Sequence, residues 1–377
     1  MKEILGGRLG SLQAAERLRV RPSVPLGAID FCSNDYLDLG SHAVEEEACG
    51  EDQTGSAVVT HSGARGSRLV VGDHHSHGAV ESALSAFLGY EATLLFASGY
   101  AANLGAVSSL AMDGDLVVSD ALNHASIIDG CQLSKAEILV VPHLGYQAAR
   151  AKLLEHARTN PESARWIVCE SYFSMDADTP DFHALRALCD ETDAFSIVDD
   201  AHALGVFGEG RGMCSAHGFR PDVLVGTFGK ALGNAGAFVS GSEEVIAWLW
   251  NRARSFVFST GISPLVAASV LRALDWIRSE EASRRRQQLL SNAELFRSLV
   301  REKTSLRDAG VHAIGSGPIV PIVGFSDPVE AARVLQAAGY WVQAIRPPTV
   351  PSSRLRVTMR AGHTEAELRG FVNSLAP

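Results

Sequence analysis

The 377-residue sequence predicts an α/β fold: a mostly parallel seven-stranded sheet flanked by helices, with a smaller C-terminal α+β domain after it. Three observations carry this expectation. Between residues 92 and 240 seven short apolar runs recur without polar alternation, as strands buried on both faces require. Most gaps between them can hold a crossover helix. Polar, chemistry-bearing residues follow five of the runs, where open α/β sheets bind their ligands beyond the carboxyl ends of strands.

Taken in order, residues 1–40 read as an N-terminal arm. It has an amphipathic stretch, the break Arg21-Pro22-Ser23-Val24-Pro25, and then Ile29 to Asn34. The seven runs are Thr93 to Phe96, Leu116 to Ser119, Ile138 to Val141, Trp166 to Cys169, Ser196 to Asp199, Val223 to Val225 and Ala237 to Ser240. The last gap, through Lys230, is too short for a confident crossover helix. From about 242 to 303 the pattern turns helical, with Val245, Ile246, Trp248 and Leu249 at helical spacing. Beyond 305 come strand-like pieces at Ile319 to Phe325, Trp341 to Ile345 and Leu355 to Met359, with a helix over Val329 to Ala338. These give an arm (1–40), a large α/β domain (41–280) and a small α+β domain (281–377).

Net charge is −10, from 33 basic and 43 acidic residues, so nothing favours nucleic acid or an anionic membrane. No apolar run reaches a bilayer-spanning length of roughly 20 residues, and the start lacks a secretion-signal core. A cytoplasmic protein is expected. The six cysteines have no C-x-x-C pair, which points to reduced, mostly buried thiols. His74, His75 and His77 lack a matching Cys or carboxylate cluster, so no metal is expected. The basic run Arg284-Arg285-Arg286 reads as a solvated helix face.

The chemistry centres on Lys230, in Val225-Gly-Thr-Phe-Gly-Lys230-Ala-Leu-Gly233, about 30 residues after Val198-Asp199-Asp-Ala-His202. A lysine ending a strand among glycines can approach a ligand closely, and burial lowers its pKa for Schiff-base formation. Asp199 also ends a strand, where a charge needs a partner. A protonated pyridine nitrogen is such a partner, and the pair suggests pyridoxal 5'-phosphate (PLP). Ser98-Gly99-Tyr100 follows a strand and opens a helix, whose free N–H groups suit a phosphate. Gly205-x-x-Gly208-x-Gly210-x-Gly212 follows the acid rather than opening a helix and reads as a turn. Arg354 and Arg356 share a face of a late strand; one could grip a carboxylate, or both could be exposed.

Together these residues resemble the α-oxoamine synthases, fold-type-I PLP-dependent enzymes, over nearly the whole chain. The motifs carrying the resemblance are Phe31-Cys-Ser-Asn34-Asp-Tyr-Leu37, Gly66-Ser-Arg-Leu-Val70, Ser98-Gly-Tyr-Ala-Ala-Asn103, Leu122-Asn-His124-Ala-Ser-Ile-Ile-Asp-Gly130, Phe173-Ser174-Met-Asp176, Asp199-Asp-Ala-His202, Thr227-Phe-Gly-Lys230 and Phe258-Ser-Thr260. L-N-H-A-S, and Ala344-Ile-Arg-Pro-Pro-Thr-Val-Pro351 before R-L-R, resemble the branch that serves biotin biosynthesis. That branch condenses L-alanine with a pimeloyl thioester, on CoA or acyl carrier protein, with loss of CO2. The resemblance implies that Lys230 anchors PLP and moves the substrate α-proton, Asp199 pairs the ring nitrogen, and His202 contacts the phenolic oxygen. It also implies that His124 stacks on the ring and Ser174 lines it. Ser98, Gly99, Tyr100 and Thr227 would hold the phosphate, and Thr260 would reach a partner subunit's site in a homodimer. Asn34 and Arg356 would bind the amino-acid carboxylate. The sequence departs from the family at Ala203, where glycine is common, in a shorter Pro351-to-Arg354 segment, and in a shorter arm.

Overall fold

A computed structural model describes residues 1–15, 17–19, 21–40 and 62–376; Cys49 lies outside them. All seven apolar runs form strands of one sheet: β2 (Ala92–Phe96), β3 (Leu116–Asp120), β4 (Glu137–Val141), β5 (Arg165–Glu170), β6 (Phe195–Asp199), β7 (Val223–Thr227) and β8 (Ala237–Gly241), with β1 (Ile29–Asp30) preceding them outside this sheet. Their order is β2-β8-β7-β6-β5-β3-β4. Strands β3 to β7 pair in parallel, whereas β8 runs antiparallel between β7 and β2. That reversal explains the short gap through Lys230: an antiparallel neighbour needs a turn and no crossover. Nearly every residue of β3, β5, β6 and β8 is buried, because helices cover both faces.

Among the described residues, a second sheet forms from β9 (His312–Ala313), β10 (Ile319–Val323), β12 (Gln343–Ile345) and β13 (Arg354–Thr358), in the order β12-β13-β10-β9. Residue 280 opens the 23-residue helix Glu280–Glu302, whose apolar face joins the core. The N-terminal segment is tied to the far end of the chain. Strand β1 pairs in parallel with β11 (Tyr340–Trp341), and Phe31 is buried against Phe296, Tyr340, His363 and Phe371. From there the chain runs as a strap: Ala361 N–H donates to the Tyr36 carbonyl (2.8 Å), and Asp38 binds Arg360 and the Gly362 N–H. The strap ends against the Lys230 turn, where the backbones of Gly40 and Gly233 touch.

The three arginines do not form a solvated face. Arg286 is buried and donates to the Ile277 carbonyl (2.8 Å), satisfying the end of helix Pro264–Ile277, while Arg285 donates to the Leu37 carbonyl (2.9 Å) on the strap; only Arg284 is exposed. The histidine cluster caps a helix: His74 is the N-cap of His75–Leu88, and His77 is bonded to the Ile262 carbonyl (2.9 Å). The five described cysteines are free thiols. No described helix is long and apolar enough to cross a membrane.

The end of β3 and the loops after β4 and β5 are pinned together by a charged clamp. His143 bonds Asp120 through Nδ1 (2.9 Å) and Asp178 through Nε2 (3.0 Å). Asp120 also accepts from the N–H groups of Leu122 and Leu144 and from the Tyr146 hydroxyl. Burial by itself would lower the His143 pKa, but the two carboxylates outweigh it and raise it to about 10. Burial likewise opposes, and His143 overcomes, a lowered pKa at Asp120.

Two predictions follow from these contacts. Gly233 has φ +59°, and a Cβ there would lie 2.2 Å from the Gly40 nitrogen. Gly233→Ala is expected to cost about 2 kcal/mol or more in urea unfolding, from strain plus overlap; a change under about 0.5 kcal/mol, the scale of a neutral surface substitution, would refute the contact. The clamp contributes stability fully below the ordinary histidine pKa of 6.5, and loses it as pH rises through about 10. The melting-temperature gap between wild type and His143→Gln should therefore be widest near pH 6 (a rough choice inside that window) and close toward pH 10. A gap that is flat with pH would remove the ion pair from the account.

Candidate active site

The site lies at the carboxyl ends of β5, β6 and β7. Parallel register sets Glu170 directly beside Asp199, so two carboxylates end neighbouring buried strands. Burial, reinforced by the Asp199 charge, lifts Glu170 to about 8. Asp199 accepts two hydrogen bonds, from Asn103 Nδ2 to Oδ2 at 2.6 Å and from the Ala201 N–H to Oδ1 at 2.9 Å.

Lys230 stands on the nine-residue turn between β7 and β8 and is half-buried. Burial brings its pKa down to about 8; Asp199 and Glu170 pull it back up and Arg356 adds to the lowering. Its amine makes no hydrogen bond or ion pair with any described residue. An amine with a lowered pKa and no partner can act as a nucleophile near neutral pH.

His202 is buried, and burial, then the charges of Lys230 and Arg356, hold it well below 6.5 and hence neutral. Its Nδ1 shares a 2.7 Å hydrogen bond with the Tyr36 hydroxyl, which lies 3.3 Å from Asn34 Oδ1. Arg356 completes this side: Nε donates to the Ser174 carbonyl (2.7 Å) and Nη2 to Asn34 Oδ1 (3.2 Å). Both strand arginines are buried rather than exposed, and their partners divide them. Arg354 is consumed by Asp176 (2.6 Å) and the Met175 carbonyl (3.0 Å), whereas Arg356 makes no ion pair with any described carboxylate.

On the opposite wall, His124 caps the helix Ala125–Ser134, with Nδ1 accepting from the Ser126 N–H (3.2 Å) and lying 2.7 Å from its hydroxyl. The preceding Asn123 ties this loop to β5 by donating to the Val168 carbonyl (2.8 Å). Desolvation by the surrounding walls lowers the His124 pKa, with Asp199 opposing and Lys230 assisting. The Tyr100 ring stands edge-on to His124 at 6.4 Å. Ser98 caps the helix Gly99–Leu110, and Gly99 packs on Thr227 so closely that a Cβ would lie 3.6 Å from the threonine Cβ. A free helix N-terminus, an exposed serine hydroxyl and Thr227 thus converge on one spot. Ser174 meets Arg356 through its carbonyl. Thr260 does not join this group within one chain; it is exposed on the segment that follows Phe258.

Sequence reasoning passed over three residues the fold brings in. Glu170 was visible as the polar end of the fourth run, but its pairing with Asp199 needed strand register. Asn103 and Tyr36 sat inside quoted motifs, and their partners are 96 and 166 residues away.

The donor set fits PLP. An unpaired lysine amine faces a carboxylate suited to a cationic ring nitrogen, and a helix N-terminus suited to a phosphate lies beside them. A family model described as aminotransferase class I and II matches residues 27–375. The 8-amino-7-oxononanoate synthase of Geobacter sulfurreducens is 44% identical over 355 residues, covering 92% of this chain and 87% of that protein. Its counterpart from Geotalea daltonii is 42% identical over 354 residues, with the same coverage. Among solved structures, the Sphingomonas wittichii serine palmitoyltransferase superposes with TM-score 0.81 at 27% identity, over 99% of this chain and 95% of that one. A structure of SPT with PLP gives 0.82 at 26% identity, covering 99% and 96%. The chain belongs to the class I and II aminotransferase family, and within it groups with the 8-amino-7-oxononanoate synthases.

Proposed function

We propose that this protein is a PLP-dependent C-acyltransferase that joins L-alanine to a pimeloyl thioester, on CoA or acyl carrier protein. The products are 8-amino-7-oxononanoate, CO2 and the free thiol, as biotin biosynthesis requires. The observation that carries the reading is the unpaired Lys230 amine beside Asp199, together with Arg356, which has hydrogen-bond partners but no carboxylate partner among the described residues. The relatives' printed names supply the substrate class.

PLP, when bound, supplies an electron sink for the carbon next to the amine. The chain's own residues do the rest. Lys230 would anchor the cofactor carbonyl and then carry the α-proton of alanine, a task suited to a base that titrates near neutrality. Asp199, oriented by Asn103 and the Ala201 N–H, would hold a proton on the ring nitrogen, the largest electrostatic contribution in the site. Neutral His202 would meet the phenolic oxygen, and His124 would cover the ring face. Ser98, Gly99, Tyr100 and Thr227 would take the phosphate. Asn34 and Arg356 would orient the substrate carboxylate, and Ser174 would line the ring site. Exposed Thr260, close to the exposed ring of Phe258 (73% exposed), suits a homodimer in which it reaches the site of a second copy.

Two outcomes are expected. A matrix of amino acids against acyl thioesters, followed by thiol release, should give turnover with alanine and pimeloyl thioester, and Lys230→Ala should abolish it together with the visible absorbance of the reconstituted protein. Turnover with serine and a long acyl chain instead would transfer the protein to the activity named for the superposed structures. Second, a Lys230 pKa of about 8 makes the neutral amine scarce below that pH and dominant above it. Capture of PLP by the cofactor-free protein should therefore accelerate about tenfold per pH unit below that value and level off above it. A rate still climbing beyond pH 10 (roughly the ordinary lysine range) would show an unperturbed lysine.

A further inference from the structure

Two walls of the site, the one bearing Asp199 and the one bearing His124, are joined by a single buried side chain. Asn103, in the helix Gly99–Leu110, places one N–H on Asp199 Oδ2 (2.6 Å) and the other on the Ser126 hydroxyl (3.0 Å). A carboxylate only accepts, so the amide nitrogen must face it; the amide oxygen has no partner among the described residues, and the two N–H bonds alone set its orientation. The Ser126 oxygen accepts from Asn103, and its own proton is free to go to His124 Nδ1, 2.7 Å away. That nitrogen also receives the Ser126 backbone N–H, but at 3.2 Å, so the shorter hydroxyl bond carries most of the preference for an acceptor there. Asn103 and Ser126 are both almost fully buried, so no solvent competes for these bonds.

We propose that Asn103 and Ser126 are positioning residues that set both walls together: the amide orients the Asp199 carboxylate and, through the Ser126 hydroxyl, holds His124 as the neutral Nε2–H tautomer. The consequence is directional. Nδ1 is occupied at the helix N-terminus, so the only N–H that His124 presents to the open site is Nε2–H. Neither residue touches the reacting atoms. Their effect passes through Asp199 and His124, and rests on the proposed PLP site for its catalytic meaning.

The test uses the full-length protein labelled with [15N]histidine, first without cofactor. Two-bond proton–nitrogen correlation spectra report which ring nitrogen bears the proton, and a His124→Gln spectrum assigns the signal. Wild type should show a neutral ring protonated on Nε2. Ser126→Ala should lose that single pattern to a mixture of tautomers, and Ser126→Thr, which keeps the hydroxyl, should restore it. Asn103→Ala should lose it too and, with PLP added, weaken cofactor binding about tenfold, the effect of one lost hydrogen bond to a charged group. A wild-type ring protonated on Nδ1, or a Ser126→Ala ring still purely Nε2–H, overturns the proposal. The cofactor-free spectra decide this independently: if wild type failed to bind PLP, the functional reading would fall while the tautomer still answered the inference.

Discussion

The site depends on two carboxylates set side by side where the fold buries them. Asp199 ends a strand with protein on both faces, and Glu170 ends the next strand at the same level. Two buried negative charges side by side cannot both persist cheaply. Asp199 takes Asn103 and the Ala201 N–H as donors, and burial together with the Asp199 charge leaves Glu170 with the raised pKa despite its own backbone donors. Lys230, brought down by burial yet drawn back by the two acids, settles near neutrality as a result. The Glu170 and Lys230 shifts both follow from the burial and the charges that the strand ends gather at one place.

The histidines show the same economy of charge. His202 and His124 are both kept neutral at the site, by burial and by the cations beside them. His143, in the loops behind, is kept charged by two carboxylates. One residue type serves as a neutral hydrogen-bonding group in the site and as a cation at neutral pH outside it. The difference lies in the partners: Tyr36 and Ser126 in one case, Asp120 and Asp178 in the other.

Much of this was legible in the sequence. Strands buried on both faces leave uninterrupted apolar runs, so all seven were visible, and the residues after them could be assigned to one end of the sheet. The orientation of β8 was not legible, because a short apolar run reads the same in either direction. The two-residue strands β1, β9 and β11 carry no periodicity at all. Arg286 was misread because a charge run says nothing about a carbonyl waiting at the end of the neighbouring helix. Lys230, Asp199 and His202 stood out because residues close in sequence share a strand end. Glu170, Asn103 and Tyr36 did not, because their importance lies in pairings across strands and helices that only the folded chain creates.

The strap from Phe31 to Gly40 also bears on how the protein is made. Asn34 meets Arg356 across 322 residues, and Phe31 is bonded to the Trp341 carbonyl. During synthesis the first forty residues emerge long before β11 and β13 exist to receive them. Phe31, Tyr36 and Leu37 belong to the same core as the large sheet, so that core stays incomplete until the far end of the chain has been made. A nascent chain therefore has a complete Lys230 turn before it has a complete pocket.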